Sequence, residues 1–170
     1  MKPENILSNL NLQENMIACE FGCGAGALTI ALAKRLKNGR VFGLDVQEEK
    51  LSALQSRASS LENLKNVFTV RCDLEKPGDS TLRKNFVDLV LIPNVLYQAE
   101  NKCGIIKEGS RILKRRGQLL IVDWIENPFK KHQKHVAGLE EVKNLAGKAE
   151  LILKREFQAS DNHYALLFTK

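Results

Sequence analysis

Apolar and polar positions along the chain switch repeatedly between the period of a buried strand and that of an amphipathic helix. Residues 16–21 are a short apolar run that ends at glycines and reads as a buried strand. Residues 24–38 place Leu28, Ala31, Leu32 and Leu36 at helical spacing. Lys34, Arg35 and Lys37 fall in the last turn, and Asn38-Gly39 is a stop signal. The alternation then recurs, with strands expected at 40–45, 66–72, 86–92 and 118–124. Helices are expected at 3–10, 48–60, 100–114 and 139–145, with Gly109 a weak point in the third of these four. Two last strands, 150–157 and 163–169, flank Ser160-Asp161-Asn162. So short a connection makes them antiparallel.

The first five strands end near residues 21, 45, 72, 92 and 124, the spacing of right-handed βαβ units. The pattern therefore predicts the α/β class: a doubly wound, mostly parallel seven-stranded sheet with helices on both faces and a C-terminal antiparallel hairpin. A ligand is expected beyond the carboxyl ends of the strands, where strand order reverses.

Composition narrows the function classes. At 170 residues the chain has the size of one domain, expected to run over 1–170. With 44% hydrophobic and 27% charged residues, a disordered chain is excluded. There is no long apolar run and no signal-peptide pattern at the start. Cys19, Cys23, Cys72 and Cys103 lack the spacing of a zinc site or disulfide framework. No metal is implied, and a cytoplasmic location is expected. The net charge of +6 permits an anionic partner without demanding nucleic acid.

The candidate chemistry lies at Glu20-Phe21-Gly22-Cys23-Gly24-Ala25-Gly26, between the first strand and its helix. Glycines there allow a sharp turn and close backbone approach to a nucleotide. Gly22, Gly24 and Ala27 also satisfy the dinucleotide pattern, and Asp45 lies where either kind of cofactor presents a ribose. The glycines alone leave both readings open. Charge favours one. A pyrophosphate would meet Glu20 at close range, whereas S-adenosylmethionine carries a sulfonium and an ammonium against one carboxylate. Glu20, Asp45 and Asp73, on successive strands at one end of the sheet, suit a cation.

At this point the chain resembles the class I S-adenosylmethionine-dependent methyltransferases, in particular the small-molecule branch. The matching segments are I-A-C-E-F-G-C-G-A-G (17–26), V-F-G-L-D-V (41–46) and R-C-D-L (71–74). F-V-D-L-V-L-I-P-N-V-L-Y (86–97) and S-R-I-L-K-R-R-G-Q-L-L-I-V-D-W (110–124) continue them in the family's order. The resemblance implies a Rossmann-like methyltransferase fold with S-adenosylmethionine as cofactor. It places Gly22, Cys23, Gly24 and Gly26 around the methionine moiety and Glu20 toward its ammonium. It places Asp45 on the ribose, Val46 against the adenine, Asp73 and the Leu74 amide at the adenine edge, and Asn94 beside the methyl donor. Asn94, Tyr97 and Asp123 are the candidates for a catalytic group.

The chain departs from the family in reading Lys114-Arg115-Arg116-Gly117 for K-P-G-G and Tyr97 for a frequent His. The N-P-P-Y signature of nitrogen methylation is absent, as is a Pro-Cys nucleophile. About 16 residues precede the first strand, a short stretch for a substrate lid. Each candidate also has a plain structural use: Glu20 as a loop-ordering acceptor, Asp73 as a cap, Asp123 as the partner of a neighbouring loop. Asp88 is expected to be structural, at the far end of its strand. The basic run Lys107, Arg111, Lys114, Arg115, Arg116 is expected to complement a helix dipole and otherwise be solvated. Lys130, Lys131, His132, Lys134 and His135 follow the fifth strand on the ligand side, as a solvated face or as a wall for an acceptor carrying carboxylate or phosphate. The leading expectation is methyl transfer to a small molecule. Its rivals are a non-catalytic S-adenosylmethionine-binding module, an RNA methyltransferase and a nicotinamide-dependent oxidoreductase.

Overall fold

The computed structural model describes residues 2–125 and 138–170. In chain order the elements are α1 (Pro3–Leu7), β1 (Ile17–Phe21), α2 (Ala27–Arg35), β2 (Arg40–Asp45), α3 (Glu48–Ser56), β3 (Val67–Arg71) and β4 (Val87–Pro93). There follow α4 (Lys102–Ile112), β5 (Leu113–Trp124), α5 (Leu139–Lys148), β6 (Ile152–Ser160) and β7 (His163–Thr169). One seven-stranded sheet has the order β3-β2-β1-β4-β5-β7-β6. The first five strands are mutually parallel, and β7 runs antiparallel to both β5 and β6. The doubly wound class and the C-terminal hairpin stand as expected.

Strand order reverses at β1, which lies between β2 and β4. Period-two alternation along the inner strands feeds two cores. Leu89 and Leu91 of β4 pack with α1, α2 and α3 on one face. Val90 and Ile92 pack with α4 and α5 on the other. Such near-continuous apolar strands are what a sheet covered on both faces requires. The edge strand β6 is mostly exposed and carries Lys154, Arg155 and Glu156, charges that discourage pairing with another chain.

Several bounds differ from expectation, with α1 ending at Leu7, α5 reaching Lys148 and β6 spanning Ile152–Ser160; three further differences have a physical reason. The helix foreseen at 48–60 widens into a π turn at Arg57–Leu61, where the Ser59 hydroxyl donates to the Gln55 carbonyl at 2.9 Å. β5 begins five residues early, at Leu113 rather than 118, because Arg116 and Lys170 exchange backbone hydrogen bonds with their neighbours across the strand start (Arg116 N–H to Lys170 O, 2.8 Å). α4 runs unbroken through Gly109. A Cβ there would sit 2.9 Å from Leu119 Cδ1, so the missing side chain lets α4 lie close on the sheet.

Candidate functional site

β1 delivers the chain into a loop of left-handed turns: Gly22, Gly24 and Gly26 have φ of 65°, 51° and 82°. A Cβ on Gly22 would approach Val95 Cγ2 to 2.7 Å, and one on Gly26 would collide with Leu54 of α3. Beside Gly24 the space is open. The loop is tied to the end of β2. The Cys23 N–H donates to the Leu44 carbonyl at 2.9 Å, and the Gly24 N–H donates to Asp45 Oδ2 at 2.9 Å. The other Asp45 oxygen accepts from the Gln47 N–H at 3.0 Å.

Two pockets meet at this loop. The larger, of about 440 Å3, brings together Gly22, Asp45, Val46, Asp73, Leu74 and Asn94. The smaller, of about 260 Å3, is lined by Glu20, Gly22, Cys23 and Asn94. Gly22 and Asn94 belong to both and form the partition between them. Gly24 and Gly26 line neither; Gly24 ties the loop to Asp45, and Gly26 acts through the turn that starts α2. Asn94 follows β4 with φ of 54°, its N–H donating to the Val122 carbonyl at 2.8 Å. Its side-chain Oδ1 is buried without a hydrogen-bond partner among the described residues. An orphaned buried acceptor on the partition between two pockets fits a ligand that donates a hydrogen there.

The three carboxylates are not equivalent. Glu20 is buried and accepts from the Thr29 hydroxyl of α2. Burial pushes its carboxyl up to about 8, against the hydrogen bonds from Thr29. Burial thus favours its protonated form in the protein alone. A cationic group placed beside it would draw it back toward ionisation. Asp73 is held low by the Lys76 ammonium at 3.1 Å and by the Glu75 N–H, which donates to its Oδ1 at 3.1 Å. It thus serves the capping use as well as lining the larger pocket. Asp45 has no cation beside it closer than its two amide donors. Each of its oxygens takes one amide and keeps a lone pair.

Neither Tyr97 nor Asp123 lines the two pockets. Asp123 is fully buried and accepts from the N–H of Trp124 at 2.8 Å and of Tyr97 at 3.1 Å. Burial raises its carboxyl to about 6, but its oxygens fix the turn Leu96–Gln98 rather than face a reactant. Tyr97 stacks edge-on against Trp124, with ring centres 6.5 Å apart. Cys23 and Cys72 are buried thiols pushed up by desolvation, so neither is a ready nucleophile. Asp88 is structural, accepting from the Ile17 N–H and the Lys114 ammonium, each at 2.8 Å. Of the basic run, Arg111 is half-buried and its guanidinium holds buried Glu108 at 2.7 Å, and Lys114 pairs with Asp88, so these two are not merely solvated. The segment with Lys130, Lys131, His132, Lys134 and His135 lies outside the described residues.

Sequence reasoning missed Pro3 and Ile6 of α1, which wall the smaller pocket, and Gln98 and Ile105, which line the larger. The apolar spacing of the first residues marked a helix but not the face it would close. No metal-ligating cluster occurs among the described residues.

Comparison with known proteins agrees with this geometry. The profile of a methyltransferase domain family matches residues 12–163. The chain belongs to the S-adenosylmethionine-dependent methyltransferase family. It is 30% identical to a demethylmenaquinone methyltransferase of Staphylococcus epidermidis over 121 residues, which is 71% of this chain and 48% of that protein. The chain thus spans about half the length of the curated relatives it matches. A methyltransferase structure from Aquifex aeolicus superposes with a TM-score of 0.84 at 25% identity, covering 98% of this chain and 88% of that one. A geranyl diphosphate C-methyltransferase from Streptomyces coelicolor, solved with S-adenosyl-L-homocysteine, shares the fold at a TM-score of 0.82 and 14% identity, over 98% and 78% of the two chains. S-adenosylmethionine is the cofactor that goes with this family and fold. The glycine cradle, the Asp45 lone pairs and the orphaned Asn94 oxygen fit it.

Proposed function

We propose that this chain, acting as a single domain, transfers a methyl group from S-adenosylmethionine to a small-molecule acceptor and releases S-adenosylhomocysteine. The observation that carries this is the partition: Gly22 and Asn94 join a carboxylate-bearing cleft to a second pocket at the end of β1 and β4. When bound, the cofactor supplies a methyl group on a sulfonium, open to direct in-line displacement. Asp45 would hold the ribose hydroxyls through its remaining lone pairs, with Val46 against the adenine. Asp73 and the Leu74 amide would take the adenine edge. Gly22 and Cys23 would pass beneath the methionine moiety, with Gly24 and Gly26 shaping the turn that carries them and Glu20 toward its ammonium. Asn94 Oδ1 would accept a hydrogen bond at the junction where donor and acceptor meet. Alignment and exclusion of water then carry the catalysis. With the Asp123 oxygens committed to backbone amides, any base for a protonated acceptor comes from elsewhere.

The reading includes a cytoplasmic setting, supported by four free cysteines. Among the described residues no helix is long and apolar enough to cross a membrane. Quinone-like phenols, suggested by the demethylmenaquinone relatives, are the first acceptors to try, followed by acceptors carrying carboxylate or phosphate. Calorimetry should find micromolar or tighter binding of S-adenosylmethionine and none of NAD, and S-adenosylhomocysteine should form with an acceptor from the panel. Tighter binding of NAD would overturn the reading. Cofactor binding without turnover on any acceptor would leave a binding module, and turnover only on RNA would reassign the substrate.

A further inference from the structure

A third cleft, of about 530 Å3, opens at the amino ends of the parallel strands, away from the glycine loop. It lies among the last turns of α4 and α5, the segment before β4 and the start of β5. The side chains of six cations line it (Lys84, Lys107, Arg111, Arg115, Lys148 and Lys170) against a single side-chain carboxylate, Glu150.

Two of the six have structural work. The Lys170 ammonium donates to the carbonyls of Ser110 at 2.7 Å and Leu113 at 3.0 Å, closing the end of α4, and to Asn85 Oδ1 at 2.9 Å. Arg111 neutralises buried Glu108 and donates to the Leu82 carbonyl at 2.7 Å. Those bonds serve the end of α4 and the buried acid, and Lys148 in the last turn of α5 complements that helix's dipole. The other four, Lys84, Lys107, Arg115 and Lys148, make no ion pair or side-chain hydrogen bond with any described residue. Their fields are felt within the cleft. The Lys170 ammonium is pushed below its ordinary value first by burial, and then by Lys84, Arg111 and Arg115. Unpaired cations gathered around one concavity repel one another and raise the local potential, which an anion relieves.

We propose that this cleft binds a run of consecutive phosphates, either a free oligophosphate group or the backbone of a single-stranded RNA. The four unpaired side chains offer ammonium and guanidinium donors, the groups that chelate phosphate oxygens. The volume exceeds what one phosphate needs. At the opposite end of the sheet from Asn94, the bound anion is a docking or regulatory ligand and not the methyl acceptor.

Inorganic tripolyphosphate, titrated into the full chain by calorimetry at low salt, should bind saturably and weaken as salt is added. Lys84→Ala, Lys107→Ala and Arg115→Ala combined should weaken it by ~tenfold or more. A control that removes the same charge elsewhere, Arg35→Ala with Lys37→Ala and Lys50→Ala, should keep wild-type affinity. Both variants should bind S-adenosylhomocysteine like the parent, which shows that they fold. A short single-stranded oligouridylate forms the second arm. If it binds more tightly than tripolyphosphate and depends on the same three residues, the source is nucleic-acid backbone. If tripolyphosphate alone binds, the source is a free oligophosphate. No saturable binding of either probe at low salt, or equal weakening in the two triple variants, would overturn the proposal.

Discussion

The two ends of the sheet are built from the same elements and carry opposite chemistry. At the carboxyl ends of the strands, side-chain carboxylates accept from backbone N–H groups: Asp45 from Gly24 and Gln47, Asp73 from Glu75, Asp123 from Tyr97 and Trp124. At the amino ends, cations donate to backbone carbonyls: Lys170 to Ser110 and Leu113, Arg111 to Leu82. The polarity follows from the connections. A strand that runs into a helix presents helix N-termini, rich in free N–H groups, at its own carboxyl end. The same helices present free carbonyls at the other end. What the dipoles do not explain is the remainder. The acidic end has its carboxylates partnered yet keeps lone pairs, whereas at the basic end Lys84, Lys107, Arg115 and Lys148 have no side-chain partner among the described residues.

The largest effect expected from breaking this arrangement is at the basic end. Glu108 is buried and accepts from Arg111, the Ser80 hydroxyl and the Gly78 N–H. Arg111→Met leaves that carboxylate without its cation and should cost about 3 kcal/mol of stability, measured by denaturant unfolding. A loss under 1 kcal/mol would mean that Ser80 and Gly78 suffice.

Next comes Asp45→Ala at the acidic end. Two charge-assisted bonds are lost, so affinity for S-adenosylhomocysteine should fall by ~a hundredfold while the protein stays folded. Normal binding would place the ribose elsewhere.

Glu20 sharpens the contrast through pH. Its carboxyl goes from 4.5 in the unfolded chain to about 8 in the fold. Between those values the folded state holds the extra proton, so stability declines as pH rises from about 4.5 and levels off above about 8. Glu20→Gln should flatten that slope and weaken cofactor binding by roughly tenfold. Binding of S-adenosylmethionine to the parent near neutral pH should release a proton, visible as a buffer-dependent heat. No proton release would mean that the cofactor's cations lie away from Glu20.

The smallest effect is expected from Tyr97→Phe, whose hydroxyl faces neither pocket. Turnover and its pH profile should stay within about twofold of the parent. A lost limb of the pH profile would restore the phenol as a base.

The fold was legible because the strands are buried on both faces and the loops between them are short. Residues 16–21, 40–45 and 163–169 announced their strands almost to the residue. The start of β5 was not, since Lys114-Arg115-Arg116 looks like a turn until the chain's last residues pair with it. At the site, glycine spacing and strand-end carboxylates identified the cleft, because chain connectivity alone places them together. Burial was hidden. Nothing in the segment 17–26 announces that Glu20 would be buried against Thr29, or that Asp123 would turn inward to two amides. The basic cleft was hidden for a similar reason. Its cations come from segments spread from Lys84 to Lys170, and only the fold gathers them.

The contact between Gly26 and Leu54 constrains how this sequence can drift. A smaller residue at 54 would remove the collision that bars a side chain at 26, yet φ of 82° would still favour glycine there. Position 54 can therefore shrink without any change at 26, whereas 26 cannot grow even after 54 has shrunk. Substitution at this pair is one-directional. Among diverged copies of this chain the leucine should vary first, over an unbroken glycine.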